Sequence, residues 1–355
     1  MLTKKTIKKK FTFLSLFTLL IASAILVISG CTKEGEQGPA GTPGANGENG
    51  INGTNGTAGC IQCHDDTQVM FAKINQWEHS THATGGNFER NSTDCAPCHT
   101  SQGFREVLVS GSQVTTEAID NPNPINCYSC HKVHETYTPA DWNLTTSEPF
   151  ALWINGEIYD KGTSNMCAHC HQPRIPDPLP VVGGGDVAVT SPYWGLHHGP
   201  QSNMLIGTGG YEVGTGYTNS AHTNSVTNGC VECHMATAYG VQAGGHTFGM
   251  TYEYHGSDAV SQAGCVSCHD EPAELKTKIE NTKAEIDELL TDLKVVLLDI
   301  GVLDEGDHVV PGTWTADQAG GVLNYNMVRE DRSGGSHNAN YAIKLLENTI
   351  AALTN

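Results

Sequence analysis

The stretch Cys230-Val231-Glu232-Cys233-His234 contains the pattern that decides the fold of this chain, Cys-x-x-Cys-His. The pattern occurs six times in 355 residues and uses all of the thirteen cysteines except Cys31. The six copies are Cys60-Cys63-His64, Cys95-Cys98-His99, Cys127-Cys130-His131, Cys167-Cys170-His171, Cys230-Cys233-His234 and Cys265-Cys268-His269. One chemical requirement must therefore explain nearly every cysteine.

Paired cysteines serve in disulfides, zinc sites, thioredoxin-like redox pairs and covalent haem attachment. Only haem attachment requires a histidine directly after the second cysteine. The two thiols form thioethers with the haem, and the adjacent imidazole ligates the iron as its proximal ligand. The sequence therefore predicts six covalently bound haem c groups, with the twelve motif cysteines as attachment points and the six motif histidines as proximal ligands.

The composition is poor in core-forming residues. Hydrophobic residues make up 38% of the chain and aromatic residues 7%, while glycine contributes 40 residues. We expect the porphyrins to supply much of the apolar surface, so that the protein without haem is largely unfolded. The predicted fold class is mainly α with extensive irregular loops, a multihaem cytochrome c packed around a haem chain, followed by a C-terminal helical bundle.

The net charge of −19 is strongly acidic. This charge argues against nucleic acid and anionic lipid surfaces as partners, and it suits cationic redox proteins or an extracellular metal or mineral acceptor. Simple solubility explains much of the acidity equally well.

The N-terminus has the order of a signal peptide, with five lysines up to Lys10, an apolar run over residues 11–28, and then Ser29-Gly30-Cys31. Residues 28–31 resemble the bacterial lipobox, which implies cleavage before Cys31 and its lipidation. An uncleaved membrane anchor is the alternative. We predict a lipoprotein signal peptide over 1–30 and an exported protein anchored in the outer membrane, on its periplasmic or cell-surface side. The residues after Cys31 lack the acidic second residue associated with inner-membrane retention.

Residues 31–59 form a predicted linker. Glycine occupies every third position from Gly35 to Gly59, as in collagen, but only Pro39 and Pro43 supply imino residues. A flexible spacer is the preferred interpretation, and a trimerising stalk that would make the protein a homo-oligomer is the other. Both would lift the haem region off the membrane.

The rest of the chain divides into a six-haem domain over 60–270 and a helical domain over 271–355. The first is broken by Gly, Asn, Thr and Pro, so we expect short helices around each motif, joined by loops. In the second, apolar residues recur at helical spacing. Three helices are predicted to begin after Glu271-Pro272, after Thr315 and near Asn338.

The second axial ligand of each iron decides the function. An iron with two imidazoles is coordinatively full and suits electron transfer, whereas an open iron can bind a substrate. The chain has 17 histidines, which leaves eleven beyond the proximal six. His134 lies three residues after His131, too close to reach across its own haem but well placed for a neighbouring one.

Several stretches resemble bacterial multihaem c-type cytochromes, loosely related to the superfamily of the ammonia-forming nitrite reductases and cytochrome c554. The resemblance covers most of residues 60–350 and rests on the stretches 77–82, 95–104, 197–201, 230–235, 245–248 and 335–346. It implies six distal ligands, namely His82, His134, His198 or its neighbour His197, His222, His246 and His337. The remaining His79, His169, His255 and His308 are expected to be exposed or hydrogen-bonded.

The chain departs from the nitrite reductases at one important point. Their catalytic haem typically has lysine in place of the motif histidine, whereas all six motifs here end in histidine. We therefore predict an electron carrier rather than an enzyme, without catalytic residues. Its six haems, mostly or all bis-histidine, would pass electrons between the periplasm or outer membrane and an extracellular acceptor or partner cytochrome.

Two other functions are compatible with the sequence. A haem-dependent oxidoreductase could reduce a small nitrogen or sulfur species, such as nitrite, hydroxylamine or a sulfur oxyanion, at one five-coordinate haem. Its pocket would lie in residues 172–229, lined by Tyr193, Trp194, His197, Gln201 and Tyr211. The haem domain could also polymerise into a conducting filament, although a lipid anchor argues against release into a fibre.

Overall fold

The computed structural model describes residues 68–196 and 198–355. The predicted signal peptide, Cys31, the glycine-repeat linker, the first motif with Cys60, Cys63 and His64, and His197 lie outside the described residues.

Short helices joined by irregular loops make up residues 68–270. The α-helices of this part are α1 (Gln68–Glu78), α2 (Thr81–Thr84), α3 (Ala96–His99), α4 (Ser101–Ser110), α5 (Cys127–Cys130), α6 (Asn165–Ala168), α7 (Gln201–Ile206), α8 (Ala221–Ser225) and α9 (Cys230–His234). Single 3-10 turns lie at Asn87–Glu89, Pro139–Trp142, Gly162–Ser164 and Gly245–Thr247.

Four of the five described motifs coincide with one of these helical turns, and the motif at Cys265 lies in hydrogen-bonded turns. Local side chains explain where several turns begin. Asn126 and Ser129 form a capping box around α5, and Thr100 accepts a hydrogen bond from the Gly103 amide at the start of α4. These caps hold the motif backbone in place without a large core behind it.

Three short antiparallel ribbons accompany the helices. They pair β1 (Phe150–Ala151) with β2 (Ile158–Tyr159), β4 (Thr251–Tyr254) with β5 (Ser257–Val260), and β3 (Val187–Val189) with β6 (Gly312–Trp314). In the last ribbon Val187 pairs with Trp314. This pairing joins the long stretch between the fourth and fifth motifs to the C-terminal part of the chain.

Three longer helices follow residue 270: α10 (Pro272–Ile300), α11 (Ala316–Asp331) and α12 (Ala339–Thr354). They begin where the sequence predicts. Pro272 occupies the first turn of α10, Thr315 and Gln318 form a capping box at α11, and the Asn338 side chain caps α12. Within residues 68–196 and 198–355, no helix combines the length and apolar character needed to cross a membrane.

The larger hydrophobic cluster is built mainly on α10, α11 and α12, with Leu297, Leu323 and Leu345 fully or almost fully buried. Residues from the 154–211 stretch complete it, and a smaller cluster surrounds Leu152 and Tyr159. Within the part of the chain that the structure describes, neither cluster has a member in 68–149 or 218–270. Four of the five described motifs therefore contribute no residue to either cluster.

Candidate haem-binding sites

Four of the described motif histidines each face a second histidine from a distant part of the chain. The separations between ring centroids are 6.2 Å for His171 and His82, 6.4 Å for His131 and His246, 6.4 Å for His234 and His337, and 6.2 Å for His269 and His222. All four second members are among the predicted distal ligands.

These separations are those that one metal ion between two imidazoles requires. A metal–imidazole nitrogen bond is about 2.0–2.1 Å long, so two rings on opposite sides of one metal have centres roughly 6 Å apart. The paired histidines therefore fit the axial positions of a haem iron.

His99, the fifth described motif histidine, lies within electrostatic reach of His198. Burial lowers the pKa of His99, and the positive charges of Arg90, His198 and Arg174 lower it further. The predicted ligand was His198 or its neighbour His197. His197 lies outside the described residues, so only the proximity of His198 to His99 can be stated.

The imidazoles are oriented through their Nδ1 atoms. Three are within hydrogen-bonding distance of backbone oxygens: His131 with Trp142 (2.7 Å), His222 with Ser336 (2.7 Å) and His234 with Phe248 (2.9 Å). Three contact side-chain oxygens: His171 with Gln201 (3.2 Å), His198 with Glu330 (2.7 Å) and His337 with Asp331 (2.6 Å). A proton donated from Nδ1 leaves Nε2 as the metal-binding nitrogen.

The last two residues of α11, Glu330 and Asp331, hold two different histidines. Their side chains are 9% and 4% exposed. Burial raises the pKa of Glu330, but the hydrogen bond from His198 and the nearby arginines outweigh it, and the net shift is downward. Burial lowers the pKa of His337, yet the charge of Asp331 and its hydrogen bond raise it overall.

Gln201 connects the same helix end to a third histidine. Its Nε2 donates to the backbone oxygen of Glu330 at 2.9 Å, while its Oε1 contacts Nδ1 of His171. Gln201 was predicted to line a reductase pocket, and the roles of Glu330 and Asp331 were not predicted at all. An acidic pair at a helix end is too common a pattern to identify them from sequence.

The motif cysteines form a spatial series. The thiols of Cys98 and Cys170 hydrogen-bond to each other, which lowers the pKa of Cys98 and raises that of Cys170. Cys167 and Cys230 interact in the same way, which raises the pKa of Cys167 and lowers that of Cys230. In haem-bound protein these sulfurs are thioethers that do not titrate, so the contacts matter as evidence of proximity.

Two further motifs extend this series. After burial, the charge of Cys265 is the next influence that raises the pKa of Cys233. The charge of Cys130 likewise raises the pKa of Cys167. In space the motifs at 95, 167, 230 and 265 therefore follow one another, with the motif at 127 beside that at 167.

His134 has a left-handed backbone, with φ of 62°, and its ring stacks on Tyr137 at 5.4 Å between centroids. Its role as a distal ligand stays a prediction, because the histidine of the first motif lies outside the described residues.

The four histidines not predicted as ligands are found in ordinary protein surroundings. Nδ1 of His79 is 2.8 Å from the Asn75 carbonyl oxygen. His169 stacks on Phe150 with centroids 3.9 Å apart, and burial lowers its pKa to about 4. The remaining two contact tyrosine rings, His255 that of Tyr254 and His308 that of Tyr193.

The side chains predicted for a reductase pocket do not meet. Tyr193 is 83% exposed, whereas Trp194 and Tyr211 are buried in the larger hydrophobic cluster. The Tyr211 hydroxyl donates to Asp317 at 2.6 Å. The described members of the set are therefore divided between the solvent, the hydrophobic cluster and the contact of Gln201 with His171, and the structure does not favour this alternative.

Comparisons with known proteins agree with the haem motifs. The chain is 23% identical over 333 residues to the C-type polyheme cytochrome OmcC of Geobacter sulfurreducens, a match covering 72% of this chain and 42% of that protein. The fold is similar to the crystal structure of the outer cell wall cytochrome OcwA, with a TM-score of 0.52, 21% identity, and coverage of 79% of this chain and 50% of that one. No protein-family model matches.

The chain spans less than half of the curated relative and half of the solved one. The kinship to nitrite reductases stays a prediction. Taken together, the repeated Cys-x-x-Cys-His motifs, the facing imidazoles and these two likenesses support a multihaem c-type cytochrome.

Proposed function

We propose that this protein carries electrons through six covalently bound haems, each with two histidine ligands. The observation that carries the proposal is the facing of four motif histidines by a second imidazole at 6.2–6.4 Å. Bound haem supplies one-electron chemistry, since its iron alternates between the ferric and ferrous states. An iron with two imidazoles has no position left for a substrate.

Four of the proposed axial pairs follow the ring contacts, and the fifth follows the electrostatic interaction of His198 with His99. They are His99 with His198, His131 with His246, His171 with His82, His234 with His337, and His269 with His222. His134 would then serve the first motif, whose own histidine is His64. All twelve motif cysteines would form thioethers.

The spatial series of cysteines suggests the route of the electrons. The sites at motifs 95, 167, 230 and 265 would form one line, with the site at motif 127 beside the site at motif 167.

The proposed location is the outer membrane, with Cys31 lipidated and the glycine-repeat linker as a spacer. The lipobox-like residues 28–31 support the anchor, and the likeness to an outer cell wall cytochrome supports an extracellular side. Partners would be other cytochromes or redox proteins, or an extracellular mineral. The three C-terminal helices would form a bundle that braces the haem sites.

Low-temperature electron paramagnetic resonance of the fully oxidised protein, with haem quantified on the same sample, tests the proposal. We expect six haems per chain and only low-spin ferric iron, because all six sites have two nitrogen ligands. A high-spin signal equal to one iron per chain would overturn the bis-histidine assignment. It would favour the reductase alternative, to be tested with nitrite, hydroxylamine and sulfur oxyanions.

A further inference from the structure

The C-terminal end of α11 orients histidines at three haem sites. Glu330 and Asp331 are consecutive, yet their carboxylates contact Nδ1 of His198 and of His337. The backbone oxygen of Glu330 holds Gln201 against His171. Two imidazoles therefore contact this helix end directly, and a third contacts it through Gln201.

The chemical character of the partner differs among these imidazoles. His198 and His337 face carboxylates, whereas His171 faces a neutral amide. A carboxylate that accepts the Nδ1 proton increases the electron density on the imidazole and makes it a stronger ligand. A stronger anionic ligand stabilises ferric over ferrous iron, so it lowers the reduction potential.

We propose that Glu330 and Asp331 are positioning residues that set the reduction potentials of two haems, those of the motifs at Cys95 and Cys230, below that of the haem between them. This inference rests on the proposed electron-transfer function and on its axial pairs. The haem between them belongs to the motif at Cys167, because Cys170 contacts the motif at Cys95 and Cys167 contacts the motif at Cys230. The two carboxylates would thus flank a site of higher potential.

The two carboxylates are compensated to different extents. Glu330 forms ion pairs with Arg329 at 3.2 Å and with Arg332 at 3.1 Å. Asp331 receives hydrogen bonds from His337 and from the hydroxyl of Ser333. Since the two arginines partly neutralise the charge of Glu330, Asp331 should have the larger influence on the reduction potential.

Among these three sites, an added electron would then reside preferentially on the haem of the Cys167 motif. Electrons pass from one iron to the next, and no bond forms or breaks. The Nδ1 proton stays on its imidazole, shared with the carboxylate. The acidic pair would therefore control which of these three sites holds an electron between transfers.

The test is a redox titration of the haem-loaded protein, followed by visible absorbance in the presence of soluble mediators. The variant Asp331→Asn keeps an oxygen acceptor for His337 and removes the charge. We expect one of the one-electron steps in the titration curve to move toward easier reduction. The reduced-to-oxidised ratio of that haem at fixed potential should rise about tenfold, which corresponds to a shift of about 59 mV. Glu330→Gln should shift another component in the same direction by a smaller factor.

Two further variants make the test specific. Asp317→Asn removes a carboxylate at the other end of α11, where it accepts from Tyr211, and should leave every component in place. Arg332→Gln removes an exposed cation beside Glu330 and should move one component in the opposite direction, toward harder reduction. Because Arg332 is exposed, this variant tests the proposal even if Asp331→Asn does not fold.

Haem content and paramagnetic resonance of each variant separate the possible failures. Superimposable titration curves for Asp331→Asn, Glu330→Gln and the parent, all with six low-spin haems, would overturn the role of the acidic pair while leaving electron transfer intact. A high-spin iron in the parent protein would instead overturn the ligand assignment on which the inference rests.

Discussion

Residues 68–149 and residues 272–354 are organised in opposite ways. The first stretch, the motif region, contains two complete haem motifs and, within the described residues, no member of either hydrophobic cluster. The second, the C-terminal helices, contains no motif and supplies most of the larger cluster. One part is thus stabilised by ordinary apolar packing, while we expect the other to need the apolar surface of its cofactors.

The two parts are nevertheless connected at the ligands. The loop after α11 places His337 against His234 and places the Ser336 carbonyl oxygen against His222. The helices that form the protein core therefore also aim imidazoles at the motifs. A well-packed segment is suited to this task, since ligand geometry depends on rigid support.

The largest effect should come from withholding haem. If the chain is produced in the cytoplasm without residues 1–30, attachment does not occur, and the motif region loses the binding energy that stabilises it. We expect its amides to exchange with solvent deuterium at nearly unprotected rates, while those of α10, α11 and α12 keep measurable protection. Haem-loaded protein is the control. Equal protection in the two parts would contradict the contrast between them.

A smaller effect is expected from a cavity in the helical core. Leu297 is fully buried in α10, so Leu297→Ala should reduce the free energy of unfolding by about 2–5 kcal/mol, measured by urea unfolding followed by circular dichroism. Val295→Ala, on the same helix at a position 60% exposed, should change it by less than about 0.5 kcal/mol. The haem spectrum should stay the same in both. Equal losses would show that α10 is not packed as described.

The smallest effect, confined to one iron, should come from removing a single distal ligand. His82 faces His171, and burial followed by the charge of His171 lowers the pKa of His82 to about 4. His82→Ala should convert one of the six irons to high spin in the paramagnetic resonance spectrum, because it opens one axial position. His79→Ala, three residues earlier, should leave all of them low-spin. The reverse pattern would exchange the roles of these histidines.

Local patterns predicted much of the architecture. Pro272 and the Thr315 and Asn338 caps mark the starts of the three C-terminal helices, because capping involves neighbours within a few residues. Local patterns could not show whether the residues predicted for a reductase pocket come together. Tyr211 and Gln201 lie ten positions apart, yet Tyr211 packs in the core and Gln201 contacts the motif histidine His171.

The sequence by itself determined where haem attaches, since the two thiols and the proximal imidazole of each site lie within five consecutive residues. Only the tertiary structure decided which second imidazole faces each of four described motif histidines and which group holds it. His198 and Glu330, for instance, are 132 positions apart and meet through a single hydrogen bond. Such contacts depend on how the C-terminal helices pack against the loops, and no local spacing encodes that packing.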